Sequence, residues 1–95
     1  MTTLHTLSQP CSNPEALQQQ LRYRQPSDPV LLLQDAVLMA QQPRFTAQLT
    51  QYPLYVLQDD VAARGLSLPP QLTATLISYP EFVQLTLDTQ QQVSW

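Results

Sequence analysis

The chain has 95 residues, a formal net charge of −3 and no lysine, so its fixed cations are four arginines. Affinity for a nucleic-acid backbone comes mostly from neutralised phosphates. This balance therefore argues against strong binding to RNA or DNA, and against binding to an anionic membrane. The length predicts a single domain spanning residues 1–95. A chain this short buries a limited fraction of its surface, so we expect it to pack against other subunits.

Neither a membrane helix nor a secretory signal is expected. The sequence has no run of about twenty apolar residues, and the first ten residues, MTTLHTLSQP, lack a basic start and a long apolar core. A single cysteine, Cys11, cannot form an internal disulfide. Together these features predict a cytoplasmic protein.

The first unit of the chain is predicted to be a strand followed by a helix. The segment TLHTL, residues 3–7, alternates apolar and polar positions as a strand does. His5 lies within it and could serve as a ligand or an acid/base. It has no cysteine or carboxylate partner at a useful spacing, so we interpret it as a structural histidine. Asn13-Pro14-Glu15 then predicts a helix over residues 14–24, since Asn is a good N-cap and proline is tolerated in the first turn.

The second unit is centred on the apolar run at residues 30–33, which predicts a strand buried on both faces of a parallel sheet. Asp35 follows and is expected to cap a helix over residues 36–50, interrupted at Pro43. The third unit is a strand at residues 54–57, then a helix capped by Asp59 and Asp60. Gly65 is expected to end that helix in a left-handed conformation.

The fourth unit is a strand at residues 73–77 followed by a capping box, Ser78-Tyr79-Pro80-Glu81, that starts the last helix. Residues 93–95 are a candidate final strand. This alternation predicts a small three-layer α/β fold, with an open, mostly parallel sheet, helices on both faces and right-handed crossovers.

Candidate chemistry is sparse. There is no glycine-rich loop for a dinucleotide or phosphate, and one cysteine with one histidine argues against a metal site. Asp35, Asp59 and Asp60 follow predicted strands, where open α/β folds place their sites, but each is also a good N-cap. Cys11 is the only possible nucleophile. It precedes a helix N-terminus that would lower its pKa, yet no second thiol or general base is evident. We assign no catalytic, cofactor-binding or metal-binding residue, and expect no cofactor.

Five motifs in order resemble the TusB/DsrH family. They are LHTL at residues 4–7, LLLQDAV at 31–37, LYVLQDDVAARGL at 54–66, ISYPEFVQLTL at 77–87, and Trp95. The resemblance covers nearly the whole chain and implies the DsrE-like α/β fold. It also implies assembly with TusC-like and TusD-like subunits as a dimer of heterotrimers. That complex passes persulfide sulfur through TusE toward the enzyme that 2-thiolates the wobble uridine of tRNA. DsrH is the counterpart in a sulfur-oxidising complex.

Two departures from the family pattern bear on function. Members usually read QDG or EDG after the central strand, whereas this chain has Gln34-Asp35-Ala36, which argues against a left-handed residue at position 36. DsrH-type members carry a thiol inside the first helix, at a position that falls at about Gln20 here. Glutamine cannot hold a persulfide, and Cys11, in the preceding loop, is not expected to inherit the role.

The favoured hypothesis is therefore a non-catalytic subunit of a TusBCD-type complex, which reaches a TusE-like sulfur acceptor through its partners. One alternative is an active persulfide carrier that uses Cys11, and another is a DsrH-like subunit of a sulfur-oxidation complex. A third is an unrelated small-molecule-binding α/β domain that uses the aspartates. Trp95 is predicted to pack into an interface, with a disordered tail as the alternative.

Overall fold

A five-stranded parallel sheet forms the centre of the computed structural model, which describes residues 2–95. The strands are β1 Thr3–Leu7, β2 Val30–Leu32, β3 Leu54–Leu57, β4 Thr75–Ile77 and β5 Gln91–Ser94. Their order is β4-β3-β2-β1-β5, and every neighbouring pair is parallel. The predicted α/β class is confirmed. The strands at β1 and β3 have the expected bounds, while β2 and β4 are shorter than predicted.

The helices also follow the predicted order but differ in their ends. They are α1 Pro14–Gln20, α2 Leu38–Gln41, α3 Pro43–Leu49, α4 Gln58–Ala63 and α5 Tyr79–Asp88, with a 3-10 turn at Gln34–Val37. The expectation that α1 continues to Arg24 is wrong. Leu21 already leaves helical geometry, at φ −98° and ψ 17°, because the chain must turn back to bring Val30 into the sheet. The predicted break at Pro43 is confirmed, and the preceding Gln42 is extended at ψ 122°, as a residue before proline prefers.

The strand order explains which face each helix covers. The steps from β1 to β2, β3 and β4 all go in one direction across the sheet. Crossovers of one hand then place α1 to α4 on one face, which we call the broad face, and the return from β4 to β5 places α5 on the other, the narrow face. The two clusters of buried residues agree with this division. One joins β-strand residues to α1, α3 and α4, and the other lies under Phe82 and Leu85 of α5.

The central strand is buried on both faces, as its apolar run predicts. Val30 and Leu32 face the broad side, Leu31 faces the narrow side, and all three have no accessible surface. The largest side chain fully inside the broad-face core is Phe45 of α3. Burying a large apolar side chain contributes roughly 1.5–3 kcal/mol, so the broad face supplies most of the apolar burial that holds the fold together.

Helix caps confirm some sequence predictions and overturn others. Asn13 accepts the Ala16 N–H at 2.8 Å, and Ser78 with Glu81 forms a complete capping box. Gly65 has φ +62°, and the N–H groups of Gly65 and Leu66 donate to the carbonyls of Ala62 and Val61, at 3.1 Å each, as in a Schellman motif.

The predicted N-cap roles of Asp35, Asp59 and Asp60 are wrong. The caps are Leu33 and Leu57, and neither makes a side-chain capping bond. Each helix begins earlier than predicted, so the aspartates lie inside the first turn, where the helix dipole still favours negative charge. Among the described residues, none of the helices has the length and hydrophobicity to span a lipid bilayer.

Candidate functional site

The carboxyl-terminal edge of the sheet carries Cys11 and three of the five aspartates. Cys11 lies in the loop after β1, Asp35 follows β2, and Asp59 and Asp60 follow β3. Parallel strands present these ends at one edge, where ligands of open α/β folds usually bind. This edge is therefore a candidate site for chemistry.

The aspartates at this edge do not form an open carboxylate pocket. Arg64 donates to Asp35 Oδ1 from Nη2 at 2.8 Å and from Nε at 3.1 Å. The same guanidinium lies 3.7 Å from Asp60 Oδ1, while Asp59 is exposed and outside this ion-pair group. The two carboxylates are therefore neutralised by a residue that sequence spacing could have suggested, since Arg64 lies four residues after Asp60.

Asp60 also stabilises an unusual backbone conformation. Its Oδ2 accepts the Gln34 N–H at 2.6 Å, and Gln34 is the only described non-glycine residue with positive φ, at 52°. Such a conformation is uncommon outside glycine. As expected, Ala36 needs no left-handed conformation, but one is adopted two residues earlier. We interpret Asp35, Asp60 and Arg64 as the clamp that holds the turn after β2.

Cys11 lies in a partly buried contact with two other side chains. Its Sγ donates to Gln20 Oε1 at 3.2 Å, and its backbone N–H lies 3.3 Å from the buried sulfur of Met39. Burial raises the pKa of the Cys11 thiol above its ordinary value. The expected lowering by the helix N-terminus is therefore wrong, and the thiol is protonated and weakly nucleophilic near neutral pH. The fold nevertheless places this thiol against the side chain of Gln20.

His5 has two partners that sequence analysis did not find. Its Nε2 lies 3.3 Å from Asp28 Oδ2, and its Nδ1 lies 3.3 Å from Trp95 Nε1, with the two ring planes 4° from parallel. Because an indole N–H can only donate, Nδ1 must be the acceptor and Nε2 must carry the proton that is donated to Asp28. The expectation that His5 lacks a carboxylate partner is wrong. Asp28 comes from the loop before β2, twenty-three residues along the chain, which no local pattern reveals.

Asp28 is the centre of this buried group. It accepts the N–H groups of Thr3 and Gln25, each at 3.0 Å, in addition to His5. Burial acts to raise the pKa of Asp28, but these hydrogen bonds and the nearby imidazole together hold it below the ordinary value. The group ties β1 to the loop before β2 and, through Trp95, to the end of β5. This arrangement fits a structural role for His5.

Trp95 is ordered, so the disordered-tail alternative is wrong. Its backbone N–H donates to the Thr6 carbonyl at 2.8 Å, which continues the pairing of β5 with β1. The side chain is 38% exposed and joined to His5. Part of the indole therefore remains available for contact with another molecule.

Two open grooves complete the survey. One, of about 880 Å³, lies between α1 and α3 on the broad face, and the other, of about 270 Å³, lies between α5 and the strands β3 and β4. Within residues 2–95, no group of three or more His, Cys, Asp or Glu side chains is placed to hold a metal ion.

Comparison with known proteins identifies the family. A family model described as "DsrH like protein" matches residues 11–92. The chain belongs to the DsrH-like family. Protein TusB of Yersinia pestis (strain Pestoides F) is 47% identical over 78 residues, which cover 79% of this chain and 82% of that protein.

Solved structures show the same fold as this DsrH-like chain. The crystal structure of the ychN protein from E. coli aligns with a TM-score of 0.72 over 99% of this chain and 97% of that one, at 16% identity. The NMR structure of a Thermotoga maritima protein aligns with a TM-score of 0.63 at 25% identity, over 90% of this chain and 92% of that one. These matches confirm the predicted open α/β architecture.

Proposed function

We propose that this DsrH-like chain is the TusB-type subunit of a TusBCD-type sulfur-relay complex, which serves 2-thiolation of the wobble uridine of tRNA. The observation that carries the proposal is the 47% identity to Yersinia pestis TusB over most of both chains. In this proposal the chain is a single domain that works in the cytoplasm. Its partners are TusC-like and TusD-like subunits in a dimer of heterotrimers, and sulfur leaves the complex through a TusE-like acceptor.

The subunit takes no covalent part in sulfur transfer. Gln20 occupies the position where DsrH-type relatives carry a thiol, and an amide cannot form a persulfide. Cys11 is the only cysteine, and its thiol is hydrogen-bonded to Gln20 Oε1 with a raised pKa. A thiol that stays protonated attacks a persulfide slowly, since the thiolate is the nucleophile.

The narrow face supports a role as a subunit. Tyr79, Val83 and Leu87 of α5 lie four residues apart, and they are 57%, 44% and 73% exposed. This spacing places them along one side of the helix, next to the side on which Phe82 and Leu85 pack on the sheet. We call these three residues the α5 stripe. A contiguous apolar stripe on a small protein is typical of an interaction surface.

Assembly is tested by co-expressing the tagged chain with TusC-like and TusD-like subunits and measuring what co-purifies. We expect a stable complex with the unaltered chain and loss of at least one partner when Val83→Glu and Leu87→Glu are combined. Gln71→Glu combined with Gln90→Glu, on exposed residues outside α5, is the matched control and should assemble normally. A complex that forms equally with all three forms of the chain would remove the α5 stripe from the proposal.

The non-catalytic role is tested with Cys11→Ser in the assembled complex. We expect tRNA 2-thiolation by the variant complex to continue at the unaltered rate. Mass spectrometry of the unaltered chain after incubation with a persulfide donor should show no added sulfur on Cys11. Loss of thiolation together with a sulfur adduct on Cys11 would instead establish the active-carrier alternative.

A further inference from the structure

The arginines of this chain differ in whether they form salt bridges. Arg64 is paired with Asp35 and Asp60, whereas the salt bridges found within residues 2–95 include none of Arg22, Arg24 and Arg44. All three belong to the α1 and α3 side of the broad face. An acidic chain therefore keeps its uncompensated positive charge in one region.

Arg24 is committed to the local fold. Its guanidinium lies 4.6 Å from the centre of the Tyr52 ring and donates to the carbonyls of Gln25 at 3.0 Å and Pro26 at 3.2 Å. Arg22 and Arg44 are exposed and line the groove between α1 and α3. These two side chains are the cations available to a ligand.

Arg22 and Arg44 are held in position with donors to spare. Arg22 lies 4.8 Å from the Tyr23 ring centre and donates Nη1–H to the Gln19 carbonyl at 2.7 Å. Arg44 lies 5.1 Å from the Phe45 ring centre and donates Nε–H to Gln42 Oε1 at 3.2 Å. A guanidinium has five N–H donors, so each arginine keeps several for a bidentate partner.

The two arginines lie toward opposite ends of the groove. Both helices return from the carboxyl edge of the parallel sheet to the amino edge, so they run in the same direction. Arg44 is the second residue of α3, whereas Arg22 lies just beyond the end of α1. The start of α3 therefore places Arg44 toward the carboxyl edge of the sheet, and the end of α1 places Arg22 toward the amino edge.

Amide side chains occupy the space between the arginines. Gln18, Gln19 and Gln51 are exposed along the walls. The Gln48 amide bridges the helices, in the orientation that satisfies both of its ends. Its nitrogen donates to the Pro14 carbonyl at 3.0 Å, and its oxygen accepts the Gln18 N–H at 3.2 Å. Primary amides both donate and accept, so they complement the N–H and C=O groups of an extended main chain.

We propose that the α1–α3 groove binds an acidic segment of a partner protein, with one carboxylate on Arg22, a second on Arg44, and the intervening main chain on the glutamine amides. An extended chain advances about 3.3 Å per residue, so two carboxylates a few residues apart reach toward the two ends of the groove. A planar guanidinium binds a carboxylate through two parallel N–H···O bonds.

The groove fits a protein segment better than RNA. Affinity for RNA depends on neutralising many phosphates, and this groove offers two free arginines with Glu15 on its rim. The inference is independent of the proposed function, because neither Cys11 nor the α5 stripe takes part in it. If the groove did not bind the peptide, the proposed function would be unaffected, and the reverse also holds, because assembly and peptide binding are measured separately.

The test measures fluorescence anisotropy of a dye-labelled extended peptide with two glutamates separated by two serines, bound to the purified full chain. A peptide with glutamine at both positions and a dye-labelled oligouridine are run in parallel. Arg22→Gln with Arg44→Gln removes the groove charge. Gln71→Glu with Gln90→Glu, on exposed residues outside the groove, is the matched control, because both double variants change the net charge from −3 to −5.

We expect the arginine variant to bind the glutamate peptide about tenfold more weakly, the loss expected for two exposed ion pairs, and the matched control to bind within about twofold of the unaltered chain. The unaltered chain should bind the glutamine peptide as weakly as the arginine variant binds the glutamate peptide. Equal weakening by both double variants, no binding by the unaltered chain, or tighter binding of oligouridine than of the peptide would each overturn the proposal. Matching circular dichroism spectra ensure that the variants are compared as folded proteins.

Discussion

The helices cover the two faces of the sheet to different degrees. The broad face has a core in which Phe45, Leu49 and Leu17 are completely buried between the sheet and the helices α1 to α4. On the narrow face, Leu4 and Leu31 are equally buried in the sheet, but no residue of α5 above them is fully buried. One face is thus completed within the chain, and the other is covered by one helix that remains partly exposed along its length.

This difference shows that a face of the sheet can be buried although the helix that covers it stays partly exposed. The central strand β2 is buried on both sides because its neighbouring strands and one layer of side chains suffice to exclude water. α5 is held by local features as well, namely its capping box and the edge-on contact of Tyr79 with Phe82, whose ring centres are 5.7 Å apart. Because these local features help to hold α5, its outer side is not needed for packing within the chain and can contact a partner.

The largest expected effect comes from truncating the broad-face core. Phe45→Ala should destabilise the protein by about 3–5 kcal/mol, because it leaves a cavity in a region that cannot collapse. Phe82→Ala is the matched change on the narrow face. It should cost about half as much, since Phe82 is only partly buried. Urea denaturation of both variants measures the contrast, and equal losses would show that the two faces are equivalent cores.

Asp28→Asn should have the next largest effect, about 2–3 kcal/mol near neutral pH, because it weakens three hydrogen bonds to a buried charge at the edge of the broad face. The pKa of Asp28 is lowered in the fold. Its carboxylate therefore stabilises the folded state above the unfolded value of about 3.9, and this contribution is lost as the pH falls through the lower folded pKa.

Thermal unfolding between neutral pH and strongly acidic pH checks this linkage. The unaltered chain should lose stability below about pH 4, whereas Asp28→Asn should show a flatter acid limb over the same window. Thr3→Ser, which keeps the backbone N–H that Asp28 accepts, is the control. If Asp28→Asn lost as much stability at acidic pH as the unaltered chain, other carboxylates would be responsible for that loss.

Sequence patterns predicted the parts of the fold that depend on local chemistry. The buried run at β2, the proline breaks, the Schellman ending at Gly65 and the capping box at Ser78 each follow from a few adjacent residues. The ends of α1 and β4 did not follow from them, because those are decided by where the chain must turn to reach the sheet. Asp35 was assigned to the wrong role because capping and ion pairing attract the same side chain.

The candidate sites were less predictable, since they depend on contacts between distant segments. Nothing near His5 in the sequence indicates Asp28 or Trp95, and nothing near Cys11 indicates that its thiol would meet Gln20 or that its backbone N–H would meet Met39. The groove between α1 and α3 arises from the relative placement of two helices. The sequence showed Arg22 and Arg44 only as two of four arginines and did not indicate that they share a groove.

A smaller effect tests what holds α5. Ser78→Ala removes the side chain that accepts the Glu81 N–H and should cost about 1 kcal/mol. Asp59→Ala is the comparison at α4, where Asp59 lies in the first turn and is not the cap. It should cost no more than about 0.5 kcal/mol, which reflects only the helix dipole. Chemical denaturation distinguishes the two, and a larger loss from Asp59→Ala would restore the capping role for that residue.

The smallest expected effect is also the sharpest test of the comparison between faces. Leu87→Gln should change the free energy of unfolding by less than about 0.5 kcal/mol, because the Leu87 side chain is 73% exposed. Leu85→Gln, two residues away on the inner side of α5, should destabilise measurably, since Leu85 packs on the sheet. If Leu87→Gln proved as costly as Leu85→Gln, the outer side of α5 would already be covered within the chain or by a second copy. The narrow face would then have no surface left for a different subunit.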